Sequence, residues 1–465
     1  MSKRTSTNLI AVIDLGKTNA KVALVDTHSA TETEILSQPS AVKTDSLYPS
    51  LDHKAIEDFI VDSLAKLGKK YTVEGVTVTT HGATAALTDA SGQLVLPVLD
   101  YEYEGIDDSR ADYETHRPPF SETGSPALPG GLNIGAQLYW QQTRYPEIFA
   151  EAKTVFTWPQ YWVHWFSGER YNDVTSLGCH TDLYEPRQHR YSSLVAKMNW
   201  SSLFPPTQNS GTSIGTLKPE LSKRMGLPAD LPIYTGIHDS NASLVPHLIT
   251  QQESLTVVST GTWFIVMAIA GAVTDLDESR DTLINVNAMG GCVPSARFMG
   301  GRERELLNVA GVATDQAMTR LLSDGEQAAM LLPSMVTATG PFPQSKSRWL
   351  GRSVESEPEM RCCAVTLYLA LMTHECMKLA GAQGPIYIEG PLAQDSQYAE
   401  VLAAVSERPL YLSEAVTGTS VGSAMLIAAP QQPPIYKQIE PAPDKRMQLQ
   451  NYARFWQQRL SDHAR

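Results

Sequence analysis

Three short segments carry residue types able to do chemistry on a phosphorylated ligand. The first is Asp14-Leu15-Gly16-Lys17-Thr18-Asn19. A turn of this kind between two strands can aim successive backbone N–H groups at an anion, and Gly16 permits close approach. Asp14 at the strand end can hold a hydrated Mg²⁺, while Lys17 or Thr18 can reach phosphoryl oxygens. It is not a P-loop, because that pattern needs a glycine five residues before Gly16 and Ala11 stands there. The second segment is Gly236-Ile237-His238-Asp239-Ser240-Asn241, after the strand-like Leu231 to Thr235. A carboxylate just past a strand end suits a general base that takes a proton from a hydroxyl nucleophile. Asp239 or Ser240 equally fits a helix N-cap, and the residues alone leave both readings open. The third is Thr260-Gly261-Thr262, which offers two hydroxyls and a flexible N–H, or forms a plain hairpin turn. A fourth grouping, His374-Glu375-Cys376 with Cys362 and Cys363, has metal-ligating types. Their spacing along one helix puts them on an apolar stripe with no second ligand pair, so buried core cysteines are expected.

The elements that must position these groups follow from hydrophobic periodicity. Leu9 to Ile13 reads as a buried strand and Ala20 to Asp26 as its hairpin partner. Asp52 looks like an N-cap, with Ile56, Phe59, Ile60, Leu64 and Leu67 on one helical face and an end near Gly68. Val73 to Thr80 is β-branched and reads as a strand running into His81-Gly82. Strand hairpin, helix and strand in this order indicate an α/β domain with a mixed sheet. The second half repeats the opening: Leu255 to Ser259, a turn at Thr260-Gly261-Thr262, then Trp263 to Ile269. Two such units half a chain apart predict two lobes, 1–246 and 247–465, facing a shared cleft.

Other segments serve packing. Trp158, Tyr161, Trp162 and Trp165 fall at helical spacing and read as core. Cys362 to Leu379 is a long apolar helix, Ile386 to Ile388 and Leu410 to Leu412 are short strands, and Thr419 to Ala428 is a small-residue helix. Pro430 to Pro443 reads as a connector to a last helix with Tyr452, Phe455, Trp456 and Leu460 on one face.

Composition bounds the function. With 42% hydrophobic and 19% charged residues the chain is globular rather than disordered, and its five cysteines show no paired CxxC spacing for a zinc ribbon or disulfide framework. The net charge of −13 argues against nucleic acid or an anionic membrane as partner, yet leaves a locally held phosphate possible. No apolar run is long enough to span a bilayer, and Asp14 cuts the N-terminal apolar stretch too early for a secretory signal, so a cytoplasmic enzyme is expected.

Taken together, the three segments resemble the FGGY carbohydrate kinases of the actin-like ATPase superfamily. Asp-x-Gly-x-Thr-Asn, His-Asp and Thr-Gly-Thr-Trp stand in that family's order. Val78 to Asp89 and Leu132-Asn133 through Gln137-Leu138-Tyr139-Trp140 are similar to its rhamnulokinase and L-fuculokinase branch, and the resemblance runs from Ile10 to about Ile427. It implies two ribonuclease H-like lobes with mixed sheets flanked by helices. It also implies ATP with Mg²⁺ at Asp14, and a small-molecule sugar as the partner of a monomer or homodimer. Phosphate contacts are implied at Gly16, Lys17, Thr18 and Asn19 and at Thr260, Gly261 and Thr262. Asp239 is implied as base, with His238, His81 and Gly82 near the sugar and Asn133 and Gln137 as hydroxyl partners. The adenine-side turn is Glu389-Gly390-Pro391-Leu392 followed by Gln394, with one glycine where the family usually has two or three. Thr84 replaces a frequent acidic residue, and Leu99-Asp100-Tyr101-Glu102 replaces a Trp-containing segment. Arg297 stands where the branch can carry a sugar-contacting Asn; it could pair with a substrate carboxylate or support the fold. The expected activity is γ-phosphoryl transfer from Mg-ATP to a small L-rhamnulose- or L-fuculose-like ketose or a related sugar, with a polyol or sugar-acid kinase as variant. The rivals are an actin- or chaperone-like nucleotide switch and a non-catalytic sugar sensor.

Overall fold

A computed structural model describes residues 9–249, 254–272, 275–309, 313–413, 418–430 and 435–463. The chain divides into two compact units: Met1–Gln251 with Ile284–Cys292 and Thr417–Pro433, and Gln252–Leu283 with Val293–Val416 and Pro434–Arg465.

The first unit is built on a seven-stranded mixed sheet. Leu9–Leu15 pairs antiparallel with Asn19–Asp26, which pairs antiparallel with the edge strand Thr31–Pro39. On its other side Leu9–Leu15 runs parallel to Gly75–Thr80, and Pro232–Tyr234 and Ile237–His238 run parallel to that strand in turn. Leu9–Leu15 is an unbroken apolar run up to Asp14 because both of its faces are covered. Ala11, Ile13 and Leu15 join Ile56, Ile60, Leu64, Trp158, Trp162 and Phe166 in one apolar cluster. Ile10 and Val12 join Ile237, Ala242, Val421 and Ala424 in another, as the two-residue period of a strand requires.

The helix His53–Lys70 starts where Asp52 caps it, accepting from the Ala55 N–H at 3.1 Å, a cap worth about 1 kcal/mol. It runs two residues past Gly68, which lacks a Cβ because Leu227 packs there. The aromatic helix Trp158–Ser167 is core: Trp158 stacks on Tyr161 at 5.3 Å, and both are buried with Trp162.

The second unit repeats the plan. Leu255–Thr260 pairs antiparallel with Phe264–Ile269 and parallel with Ile386–Glu389, in a sheet that runs Cys292–Phe298, Phe264–Ile269, Leu255–Thr260, Ile386–Glu389, Leu410–Ser413, Tyr436–Ile439. The helix Pro358–Leu379 packs in its core with Cys362, Cys363 and Cys376 buried, and among the described residues no cluster is placed to hold a metal through three or more His, Cys, Asp or Glu. On the last helix, Pro443–His463, Tyr452 and Trp456 donate to the carbonyls of Ala329 and Leu331 at 2.8 Å.

Beside the expected division into 1–246 and 247–465, residues 417–433 and 284–292 group by packing with the first unit. The reason lies in the small residues of the helix Thr419–Met425, where a Cβ on Gly422 would fall 1.9 Å from the Ala242 carbonyl oxygen. The piece Pro430 to Pro443 is not merely a connector: Tyr436–Ile439 is an edge strand on Leu410–Ser413, with residues 431–434 outside the described part. Among the described residues no helix is long and apolar enough to cross a membrane.

Candidate active site

Asp14 closes the first strand with a half-buried carboxylate whose Oδ2 accepts from Thr419 Oγ1 at 2.5 Å and Ser420 Oγ at 3.3 Å. Lys21, one turn of the hairpin away, lies 3.2 Å from the same oxygen and 3.1 Å from Glu32. Burial works against the Lys21 charge, but Asp14 and Glu32 outweigh it and raise its pKa above the ordinary lysine value. Lys21, Thr419 and Ser420 escaped the sequence reading: Lys21 sits in a strand that reads as apolar, and the two hydroxyls lie some four hundred residues away.

The turn itself is tight. The Gly16 N–H donates to the Asn19 carbonyl at 2.9 Å, so this amide is spent inside the hairpin, while Thr18 and Asn19 are exposed at its tip. Lys17 does not point at an open phosphate cradle as expected. Its ammonium is ion-paired with Asp100, lies 3.1 Å from Glu102, and sits over the Tyr101 ring at 4.9 Å.

The parallel strand Gly75–Thr80 delivers His81 and Gly82. The His81 N–H donates to the Leu15 carbonyl at 3.0 Å, which ties it to the end of the Asp14 strand. Its ring meets the Gly82 carbonyl at 2.8 Å, Thr84 Oγ1 at 3.5 Å and the edge of Tyr101 at 5.3 Å between centroids. Burial lowers its pKa against the pull of the Gly82 carbonyl and Asp239. Gly82 has no alternative: a Cβ there would lie 2.9 Å from His238 Nε2.

Asp239 follows the short parallel strand Ile237–His238 and begins a one-turn helix, Asp239–Ala242. Its Oδ1 accepts from the Ser240 N–H at 2.6 Å and lies 3.2 Å from His238 Nε2. Its Oδ2 meets no partner among the described residues. His238 is buried and held on several sides: its N–H donates to Thr175 Oγ1 at 2.9 Å, and its ring contacts Asn241 Nδ2 at 3.2 Å and Cys179 Sγ at 3.7 Å. Burial opposes charge on both members of the Cys179–His238 pair. Mutual attraction, aided by His180 at the thiol and by Asp239 at the ring, draws the thiol down to about 5 and the imidazole up to about 9.

This pair predicts a pH window. Between the ordinary values of 6.5 and 9.0 the folded and unfolded pairs bind the same number of protons, so its contribution is flat. Below 6.5 the unfolded pair binds more protons, and stability falls as pH drops towards 5; above 9.0 the unfolded thiol and the folded imidazole lose a proton together, so the contribution stays flat. Cys179→Ala should flatten the acid side of a melting-temperature profile between pH 5 and 6.5, and an unchanged profile would show the pair to be uncharged.

Asn133 and Gln137 are buried, with their amide donors already committed. Asn133 accepts from the Leu128 N–H at 2.8 Å and donates to the carbonyls of Pro126 at 3.0 Å and His180 at 2.9 Å; Gln137 donates to the Ala83 carbonyl at 2.6 Å and to that of Gly131. Their amide donors organise the loops around the strand end, while Gln137 Oε1 has no partner among the described residues.

In the second unit, Thr260-Gly261-Thr262 lines a cavity of about 610 Å³ together with Phe264, Gly301, Arg304, Glu305, Asn308, Pro391 and Leu392. Thr260 Oγ1 donates to the Glu389 carbonyl at 2.6 Å and accepts from the Leu392 N–H at 3.0 Å, binding the hairpin turn to the next strand end. Gly390 adopts φ +82° against the Thr260 carbonyl, a left-handed conformation that favours glycine. Gln394 is exposed and does not line the cavity. The helix Gly300–Leu306, which supplies Arg304 and Glu305, carries no ligand motif and escaped the sequence reading. Arg297 is satisfied within this unit: its Nε lies 3.1 Å from Asp281 and its guanidinium covers Trp263 at 4.5 Å. That arrangement fits the supporting role.

Comparison with known proteins agrees with this layout. Residues 9–246 match the model of the FGGY family of carbohydrate kinases, N-terminal domain, and residues 252–434 that of the carbohydrate kinase FGGY C-terminal domain. An L-fuculokinase of Salmonella typhi is 29% identical over 280 residues, a match spanning 57% of this chain and 57% of that protein. The chain thus matches little more than half the length of the curated L-fuculokinases it resembles. The solved structure of a carbohydrate kinase from Novosphingobium aromaticivorans is 34% identical, with a TM-score of 0.90 over 98% of this chain and 99% of that one. A ligand-bound xylulose kinase from Lactobacillus acidophilus, 14% identical with a TM-score of 0.78 over 98% of each chain, shares the fold. With both of its family domains matched across most of its length, the chain belongs to the FGGY family of carbohydrate kinases.

Proposed function

We propose that this protein is an ATP-dependent sugar kinase that phosphorylates a hydroxyl of a small neutral ketose. The observation that carries the reading is Asp239. One of its oxygens is fixed by the Ser240 N–H and His238, and the other meets no partner among the described residues. The open oxygen takes the proton of the attacking hydroxyl as that oxygen bonds to the γ-phosphorus and the bond from phosphorus to the bridging oxygen breaks, releasing ADP. His238 and Ser240 set the direction of the carboxylate, and positioning with charge neutralisation supplies most of the acceleration. The cavity beside Thr260-Gly261-Thr262 takes the nucleotide, with Arg304, Glu305 and Asn308 on its wall.

Asp14 with the Thr419 and Ser420 hydroxyls is an all-oxygen set that suits a hard divalent cation, and Mg²⁺ sites commonly use one carboxylate plus substrate phosphates. Asp14 would hold Mg²⁺, which supplies charge neutralisation at the phosphates when bound. Lys21 and the exposed turn at Thr18 and Asn19 provide further charge and donors next to it.

The test is ADP release measured against ketoses, polyols and sugar acids. Sugar-dependent release supports the kinase. ATP hydrolysis that no sugar stimulates supports a nucleotide switch and overturns it.

A further inference from the structure

The ion pair between Lys17 and Asp100 joins the first hairpin turn to the loop Leu99-Asp100-Tyr101-Glu102 inside the first unit. The Asp100 side chain is only 9% exposed. Its Oδ1 receives Lys17 and, at 3.2 Å, the Glu102 N–H, while its Oδ2 meets no donor among the described residues. That oxygen is not sealed from solvent, so it is open to accept from a ligand hydroxyl. Lys17 has three N–H donors and spends them on two acidic neighbours, Asp100 and Glu102, which leaves one. An acceptor and a donor side by side match adjacent hydroxyls, each of which both donates and accepts.

The loop is well braced. The Asp100 N–H donates to the Pro49 carbonyl at 3.0 Å, and the Gly131 N–H to that of Tyr101 at 2.9 Å. A Cβ on Gly131 would lie 2.9 Å from the Tyr101 Cα, so the two segments are packed backbone to backbone. Tyr101 in turn sets its ring against His81, which stands at the strand end beside Gly82 and His238. Burial, then Glu102, Asp239 and Asp100, push the Tyr101 phenol up to about 12, so the acidic groups around this ring include the proposed base itself. Here Asp100, Glu102 and Asp239 face one lysine and the His238 ring, a balance hostile to a substrate carboxylate.

We propose that Lys17 and Asp100 form the specificity element of the sugar site, reading a vicinal diol of a neutral polyhydroxy substrate and rejecting sugar acids. The inference rests on the kinase reading only for the identity of the site. Lys17 therefore serves the sugar and not the nucleotide phosphates, although it sits in the phosphate-type turn.

Two measurements test it on the full-length chain. The first is the thermal shift and calorimetric binding of each sugar alone: L-rhamnulose, L-fuculose, D-xylulose, L-ribulose, ribitol, gluconate and glucuronate. The second is the KM for sugar and for ATP in ADP release. A neutral member of the panel should bind best. Asp100→Asn should weaken it at least about tenfold, the scale on which an unpaired polar group is penalised, with the KM for ATP unchanged. Lys17→Met should do the same, and Lys17→Arg should restore most of the affinity by keeping the ion pair. An acid as preferred ligand overturns the proposal, as does a sugar ranking and affinity unchanged in Asp100→Asn. A Lys17→Met variant that loses ATP affinity while binding sugar normally also overturns it. If Asp100→Asn fails to fold, Lys17→Met and Lys17→Arg decide the matter. Sugar binding with the expected ranking but no ADP release leaves this inference standing and removes the kinase reading; no sugar binding at all removes both.

Discussion

Asp239→Asn should lower turnover by at least about two orders of magnitude, the usual worth of a positioned general base, while leaving the fold and ATP binding intact. The amide keeps an oxygen to accept from the Ser240 N–H, which lies 2.6 Å from the present carboxylate, and it keeps a neighbour for His238. It cannot take a proton from the attacking hydroxyl. Stopped-flow ADP release, calorimetry with a non-hydrolysable ATP analogue and a thermal melt separate the effects. Turnover within a few-fold of wild type would remove Asp239 as base. A loss of ATP affinity or of melting temperature matching the lost turnover would instead give it a structural duty. Ser240→Ala is the matched control: it keeps the backbone N–H that holds Oδ1 and loses only a 3.4 Å hydroxyl contact, so it should retain most activity.

Gly301→Ala should cost nucleotide binding most. The helix Gly300–Leu306 begins directly on the hairpin turn, with the Gly301 N–H donating to the Thr262 carbonyl at 3.2 Å. A Cβ at Gly301 would lie 2.2 Å from the Gly261 carbonyl oxygen and 3.1 Å from the Thr262 Cα. Both obstacles are backbone, so helix and turn must separate, and the cavity between them loses its shape. Overpacking of this kind costs roughly 1–3 kcal/mol of stability. Because the displaced groups line the cavity, ATP affinity should fall at least about tenfold, which corresponds to about 1.4 kcal/mol. Calorimetry with the same analogue checks this. Leu306→Ala, at an exposed position of the same helix, should change neither affinity nor stability by much. Wild-type nucleotide affinity in Gly301→Ala would place the nucleotide elsewhere.

Much of the architecture was legible along the chain because its cause is local. A strand covered on both faces reads as a near-continuous apolar run, as Leu9–Leu15 does up to Asp14. Asp52 announces its helix because a side-chain oxygen is needed for the free N–H groups of the first turn. The buried aromatics of Trp158–Ser167 and the cysteines of Pro358–Leu379 follow helical spacing, and spacing alone identified them as core. The polar candidates Asp14, His81, Gly82, His238 and Asp239 could be picked out because each stands at or just past the end of a strand, where a sheet ends and side chains become free of it.

What the chain order could not show is which of these groups are already taken. Asn133 and Gln137 have the chemistry of sugar ligands, yet loop carbonyls brought from residues 83, 126, 131 and 180 consume their donors. Lys17 lies in a phosphate-type turn, and only the packing of a loop eighty residues later turns its ammonium towards Asp100. The helix Thr419–Met425 belongs with the first unit because Gly422 lets it press on Ala242, which brings Thr419 and Ser420 to Asp14. Hydrophobic pattern and caps act between near neighbours in sequence, so the sequence by itself determined the elements and the ends of strands where chemistry is possible. Charge pairing and hydrogen bonding act over a few ångströms in space whatever the separation along the chain, so only the tertiary structure decided which polar groups are spent on the fold and which remain open for a substrate.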